Sequence, residues 1–268
     1  RIPYRGLKKS CCFVMLSDLH NKQFGEHNSR LLEAVEECRP DGVLIAGDML
    51  TSQVSGSFAP ALETVSALAE KYPVYYANGN HEYRVKTDTE RYEDRYERYA
   101  KQLRRAGVVL LENESVLLPE TGIRIFGVEI DMDYYKKLRK SVMKVSYLNS
   151  LLGRPCADEY NILLAHNPDY FQTYAGWGAD LVLSGHVHGG IMRLPVLGGV
   201  LSPALRLFPR YDGGLYEEGK SKMVLGRGLG TVRARTPGTG NLASQQYGMG
   251  GTVRGNGIKP HGRVIQAI

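Results

Sequence analysis

Residues 42–48 read Gly-Val-Leu-Ile-Ala-Gly-Asp, a short apolar run that ends abruptly on a glycine and a carboxylate. A run of this length, bounded by glycines and carrying β-branched residues, reads as a buried strand. The same pattern repeats on both sides. Upstream, Cys11–Leu16 (CCFVML) is a second buried strand ending at Ser17-Asp18. Between the two, SRLLEAVEEC sets Leu31, Leu32, Val35 and Cys38 at helical spacing, and Pro40 stops that helix. Downstream, Ala59–Lys71 has Leu62, Val65, Leu68 and Ala69 on one helical face, and Pro73–Ala77 (PVYYA) is a third strand. Further along, Thr87–Ala106 reads as one helix, opened by a Thr87-x-x-Glu90 capping box and striped with Tyr92, Tyr96, Tyr99 and Leu103. Strands are expected at 108–111, 115–118, 123–130, 161–165 and 180–184, with a Lys-rich helix over Tyr134–Leu152. Strands alternating with helices define an α/β fold.

The chain of 268 residues is long enough for one large domain, and no composition break marks a second before residue 230. No stretch reaches the ~18 consecutive apolar residues of a membrane-spanning helix. Four cysteines, two of them adjacent at 11 and 12, do not form a disulfide framework. The net charge of +6 is local: residues 231–268 carry five basic residues and no acidic one, leaving 29 basic against 28 acidic over residues 1–230. That distribution describes a nearly neutral body with a Gly-rich basic tail, atypical or poorly ordered, and no specific nucleic-acid partner is expected. The first residue is Arg1, and the residues after it lack a signal-peptide core. A targeting segment or anchor upstream would make the protein membrane-associated or exported; without one it would be cytoplasmic.

The residues just past each strand carry the chemistry. The strand ends deliver Asp18-Leu19-His20, Gly47-Asp48, Gly79-Asn80-His81-Glu82, His166-Asn167 and Gly185-His186-Val187-His188. In α/β sheets ligands bind at the carboxyl ends of strands, so these groups are expected on one edge. A lone Asp or His after a strand is ordinarily a turn or cap residue, and His27 and His261 are read that way. Five strand ends carrying imidazole or carboxylate are not explained by turns. Imidazole with carboxylate suits Mn, Fe or Zn, whereas a structural zinc more often takes cysteine. The i, i+2 spacing of Asp18 with His20 and of His186 with His188 puts both side chains on one side of an extended segment. Seven ligands exceed one open catalytic metal and suit two, with Asp48 as the bridge. Two metals ~3.5–4 Å apart hold a hydroxide and clamp phosphoryl oxygens during in-line displacement.

This set of motifs, in this order, resembles the calcineurin-like metallophosphoesterases over residues 10–230. The resemblance implies a four-layer α/β/β/α sandwich, with 1–230 as the phosphoesterase domain and 231–268 as the tail. It implies two divalent or trivalent metal ions, with Asp18, His20 and His188 on one, Asn80, His166 and His186 on the other, and Asp48 bridging. His81 matches the family's phosphate-contacting histidine, which stabilises the transition state or protonates the leaving oxygen. Met49-Leu50-Thr51 stands where protein Ser/Thr phosphatases continue with Asp-Arg-Gly, which argues against a protein phosphatase. The 17–21, 185–190 and 208–216 segments resemble a bacterial branch that often carries an anchor or export signal and acts on phosphodiester or pyrophosphate bonds of lipid-linked molecules.

Two further expectations concern the later part of the chain. The apolar stretch Ile191–Phe208 reads either as a loop for a lipid-linked substrate with peripheral membrane contact, or as a packed edge beside the site; burial of Leu197, Leu201 and Leu205 distinguishes them. After Gly230 the family's final apolar strand is replaced by a Gly-rich run, which puts the last strand of the second sheet in doubt. A phosphate-ester substrate is thus expected, a diester or pyrophosphate before a monoester. A nuclease or cyclic-nucleotide phosphodiesterase would use the same ligands with different loops. A non-catalytic scaffold on this fold would be expected to lose ligands, and none is missing.

Overall fold

The structure is a computed structural model. It describes residues 11–136, 141–187 and 211–229, with the backbone of 192–194, 198–201 and 266–267. Four strands, β1 (Phe13–Leu16), β2 (Gly42–Ala46), β3 (Val74–Ala77) and β4 (Val109–Leu110), pair in parallel and in sequence order. Between them lie α1 (Ser29–Glu37), α2 (Ala59–Ala69), α3 (Asn80–Thr87), α4 (Thr89–Tyr92) and α5 (Arg95–Arg105). The chain then builds a second sheet from β5 (Glu114–Leu118), β6 (Ile123–Val128), β7 (Tyr160–Ala165) and β8 (Leu181–Ser184), with α6 (Val145–Leu152) and α7 (Phe171–Trp177) on it. β9 (Met192–Leu194) and β10 (Gly198–Leu201) form an antiparallel ribbon. The hairpin β11 (Gly214–Glu218) and β12 (Ser221–Leu225) extends the second sheet, whose order is β11-β12-β8-β7-β6-β5. A last strand, β13 (Gln266–Ala267), pairs antiparallel with β1 at the edge of the first sheet.

The layering stems from strand periodicity, since alternate side chains point to opposite faces. Phe13 and Met15, Leu44 and Ala46, and Tyr75 and Ala77 share one core with Ile123 and Ile125, Ile162 and Leu164, and Leu181 and Leu183. This is the layer between the two sheets. The intervening residues Val14, Val43, Ile45, Val74 and Tyr76 pack with Leu31, Val35, Val65, Leu68, Tyr99 and Leu103 under the first set of helices. Phe126, Leu163, Val182 and Met223 pack with Leu148, Phe171 and Trp177 under the second. The result is an α/β/β/α sandwich: the strand pattern implied an α/β fold, and the resemblance implied the four layers.

Several elements differ from their sequence reading. Thr87–Ala106 is not one helix: Thr87 closes α3 with its Oγ1 donating to Tyr83 O at 2.9 Å, and Glu93 breaks the chain at φ 53°. The tyrosine stripe survives the break, with Tyr92, Tyr96, Tyr99 and Leu103 all buried. Of the expected helix over Tyr134–Leu152, the described residues form α6 and a 3-10 turn at Met132–Tyr135, while residues 137–140 lie outside the described residues. The tail strand β13 completes the first sheet, not the second. Most of the 231–268 tail, and the side chains of Leu197, Leu201 and Leu205, lie outside the described residues. Among the described residues no helix is long and apolar enough to cross a membrane.

Leu44 is fully buried between the sheets, while Leu215 on the edge hairpin is 53% exposed. Leu44→Ala is expected to destabilise the fold by about 2–5 kcal/mol, the range for a large-to-small core change. Leu215→Ala is expected to stay within about 0.5 kcal/mol. Denaturant unfolding of the two variants checks this.

Candidate dinuclear metal site

The carboxyl ends of the parallel strands in both sheets meet at one edge, and backbone hydrogen bonds sew them together. Asp18 N donates to Gly47 O at 3.0 Å and His20 N to Asp48 O at 3.1 Å, joining the ends of β1 and β2. His186 N, beyond β8, donates to both carboxylate oxygens of Asp18, at 3.0 and 3.2 Å. His166 Nδ1, at the end of β7, lies 2.7 Å from Ala46 O. A carbonyl only accepts, so Nδ1 carries a proton and Nε2 is turned toward the site, where a bound cation would take the place of its proton beside Asp48, the usual arrangement for a metal-binding imidazole.

Asp48 lies at the centre. Its Oδ1 accepts the backbone N–H of His81 at 2.8 Å, and its Oδ2 faces His166 Nε2 at 3.0 Å and the Nε2 atoms of His20 and His81 at 3.9 Å. Asp18 Oδ1 is 3.8 Å from His166 Nε2 and 3.9 Å from His20 Nε2. Burial resists a charge on Asp48, but the imidazoles of His166, His81 and His20 overcome it and hold the carboxyl well below its ordinary range. Burial also opposes a charge on His166, yet Asp48 and Asp18 push it up to about 10. Burial lowers His20 and His81, against the attraction of Asp48.

The donors form two groups that share one residue. His20, Asp48 and His81 make one, and Asp48, His166 and His186 the other, with candidate ligand atoms in each within 4.8 Å. Asn80 Oδ1 and His166 Nε2 are buried without a hydrogen-bond partner. Carbonyl oxygen and imidazole nitrogen left open beside a buried carboxylate are what a divalent cation requires, so the residues fit a metal pair. Asp18, His20, Asp48, His81, His166 and His186 thus come together, Asn80 adjoins His81 at the start of α3 with its Oδ1 buried, and His188 lies outside the described residues. His27 is exposed and faces Glu63, as a background residue would.

Sequence reading missed two features. Asp18, His20, Asp48 and His186 all take left-handed backbone, at φ 56°, 50°, 55° and 71°. Such conformations cost of order 1–3 kcal/mol each and cluster at functional sites. The flanking glycines leave the room needed: a Cβ on Gly79 would overlap Asp48, and one on Gly185 would overlap Asp18. The second feature is Glu82, fully buried on α3. Its Oε1 accepts Met49 N, Leu50 N and Tyr76 OH at 2.8, 3.2 and 2.8 Å, and its Oε2 accepts Asp48 N and Gly79 N at 2.9 and 3.0 Å. Burial and the charge of Asp48 push this carboxyl up to about 7, against five donors that favour its ionised form. A Glu three residues after the helix-opening Gly79 was the available signal, because that spacing lets a carboxylate reach back to the helix N-terminus.

Residues 13–190 match the calcineurin-like phosphoesterase family, and the chain belongs to it as a hydrolase. Among curated relatives, phosphodiesterase YaeI of Escherichia coli (strain K12) is 29% identical over 225 residues, spanning 82% of this chain and 75% of that protein. A Danio rerio transmembrane protein with metallophosphoesterase domain is 31% identical over 236 residues, spanning 85% of this chain and 48% of that one. Among solved structures, a Thermus thermophilus sulfate thiohydrolase, SoxB, aligns over 87% of this chain and 56% of its own with a TM-score of 0.44 at 15% identity.

Glu82→Gln puts an amide N–H₂ against backbone donors. Leaving two buried amides unsatisfied is expected to cost about 2–4 kcal/mol, and loosening the Asp48 loop is expected to weaken metal affinity by about 10–100-fold. Thermal unfolding with and without Mn, and metal titration, measure the two effects separately.

Proposed function

We propose that this chain hydrolyses phosphodiester or pyrophosphate bonds using two metal ions that share Asp48. The observation that carries the reading is the Asp48 carboxylate, 1% exposed and common to two separate groups of metal-binding side chains. Asp18, His20, His188 and Asp48 would hold one ion, and Asn80, His166, His186 and Asp48 the other, with Mn, Fe or Zn suited to these donors. Such a pair, when bound, supplies Lewis acidity toward the phosphoryl oxygens and toward a water nucleophile.

The chain's own residues do the remaining work. The His81 backbone amide holds one oxygen of Asp48, Glu82 holds the backbone of residues 48–50, and His186 N holds Asp18, so the ligands are set before substrate arrives. His81, with its side chain 27% exposed, reaches the cleft and offers a donor to the phosphoryl or leaving oxygen. The name of the Escherichia coli relative, phosphodiesterase, and the Met49-Leu50-Thr51 sequence after Asp48 both support a diester over a phosphoprotein substrate. The finer reading is a lipid-linked diester or pyrophosphate taken up at a membrane surface. It draws on the apolar 191–208 stretch and on the zebrafish relative's name. In this reading residues 1–230 are the catalytic unit, and the tail adds the edge strand β13.

Turnover of bis(p-nitrophenyl) phosphate is expected to exceed that of p-nitrophenyl phosphate when Mn is supplied. Preference for the monoester would overturn the diester reading, and a lipid pyrophosphate compared with a soluble diester tests the finer one. Asp48→Asn is expected to lose both metal and turnover; full retention of both would remove Asp48 as the shared ligand. His81→Ala is expected to lower turnover by roughly 10²–10³ with metal content unchanged, and loss of metal would instead make His81 a ligand.

A further inference from the structure

His81 sits among metal-binding groups, and its role turns on which ring nitrogen carries the proton. Its Nδ1 points away from Asp48 and accepts the backbone N–H of Ser52 at 2.9 Å. Ser52 Oγ lies 3.0 Å from the same nitrogen and accepts Arg84 Nη1 at 3.1 Å, which leaves the hydroxyl proton free to donate to His81 as well. A backbone amide can only donate, so Nδ1 is held as an acceptor and the neutral ring carries its proton on Nε2. That Nε2 is 3.9 Å from Asp48 Oδ2, beyond hydrogen-bond reach, and it makes no hydrogen bond among the described residues.

Ser52 is itself fixed from outside the site. Tyr92 OH donates to Ser52 O at 2.8 Å, and the Arg95 guanidinium donates to Val54 O and Gly56 O while lying over the Phe58 ring. The break between α4 and α5 brings Tyr92 and Arg95 to bear on this loop. Met49, Leu50 and the Asp48 amide are pinned from the other side by Glu82. The Ser52 amide is therefore set by two helices and is not free to turn from His81.

We propose that Ser52 is the positioning residue for His81, holding it as a neutral hydrogen-bond donor through Nε2–H, and that His81 is neither a metal ligand nor a proton-transferring acid. This rests on the reading of the site as a phosphodiesterase centre. The bond from phosphorus to the leaving oxygen breaks as the bond from the attacking water's oxygen forms. The water's proton ends on the leaving oxygen or in solvent, and His81 keeps its own. Its contribution is a fixed dipole aimed at charge that grows on the phosphoryl group.

Three measurements test the inference on the holoenzyme loaded with Zn. In ¹⁵N-histidine-labelled protein, with His81 assigned by its loss in His81→Gln, Nδ1 is expected at an unprotonated, hydrogen-bonded position and Nε2 as a protonated nitrogen. A zinc-shifted Nε2 or a protonated Nδ1 overturns the proposal. Across a series of diesters with leaving groups of rising basicity, the factor lost in His81→Ala is expected to stay constant, at roughly 10²–10³. A loss that grows with leaving-group basicity means that His81 transfers a proton and also overturns it. Ser52→Pro, which deletes the amide, is expected to lower kcat at least about tenfold at unchanged KM and metal content; if that variant does not fold, the wild-type spectrum still decides. The spectrum does not depend on turnover. Absence of diesterase activity therefore counts against the function while the His81 tautomer is judged separately.

Discussion

A carboxylate as deeply buried as Asp48 stays charged only with positive charge or donors around it. Three imidazoles and one backbone amide surround it, contributed by the ends of β1, β3 and β7 and the start of α3. That requirement ties the two sheets together at one edge. His166 reaches from the second sheet to Ala46 in the first, and Asp18 receives the amide of His186 in return. The same edge carries further bonds across the sheets, in which Lys86 bridges Glu112 and Glu129 while Asn78 donates to Glu129 at 2.7 Å. The inter-sheet apolar core supplies cohesion, and these polar ties set how the two sheets meet at the site.

The backbone at the strand ends is bent to serve this arrangement. Left-handed conformations at four candidate ligands would be unfavourable in isolation. Each is held by a named bond: Asp18 N to Gly47 O, His20 N to Asp48 O, Asp48 N to Glu82, and His186 N to Asp18. Stability drawn from the buried sheets is thus used to keep donor atoms facing one another before any ligand arrives. That is the preorganisation which electrostatic catalysis requires.

The strands, and the gathering of Asp and His at their ends, were legible in the sequence because burial on both faces leaves continuous apolar runs, as in Val43–Ala46 and Ile162–Ala165, and these runs give way within two residues to Asp48 and His166. The half-exposed hairpin Gly214–Glu218 with Ser221–Leu225 was not read as strands, since its alternation is masked by Glu, Lys and Gly. α3 was hidden because its residues Asn80, His81 and Glu82 are spent on the site and leave no apolar stripe. The break at Glu93 has no mark in sequence, for the tyrosine spacing runs through it unchanged. Glu82 and Ser52 escaped notice for a related reason: they act through backbone amides, which no residue pattern displays.

Anomalous X-ray diffraction from crystals of the chain loaded with Mn tests the central claim most directly. The account predicts two Mn peaks per chain, both in contact with the Asp48 carboxylate, one also with Asn80, His166 and His186, and neither with His81. A single peak, or two peaks that do not share Asp48, would contradict it.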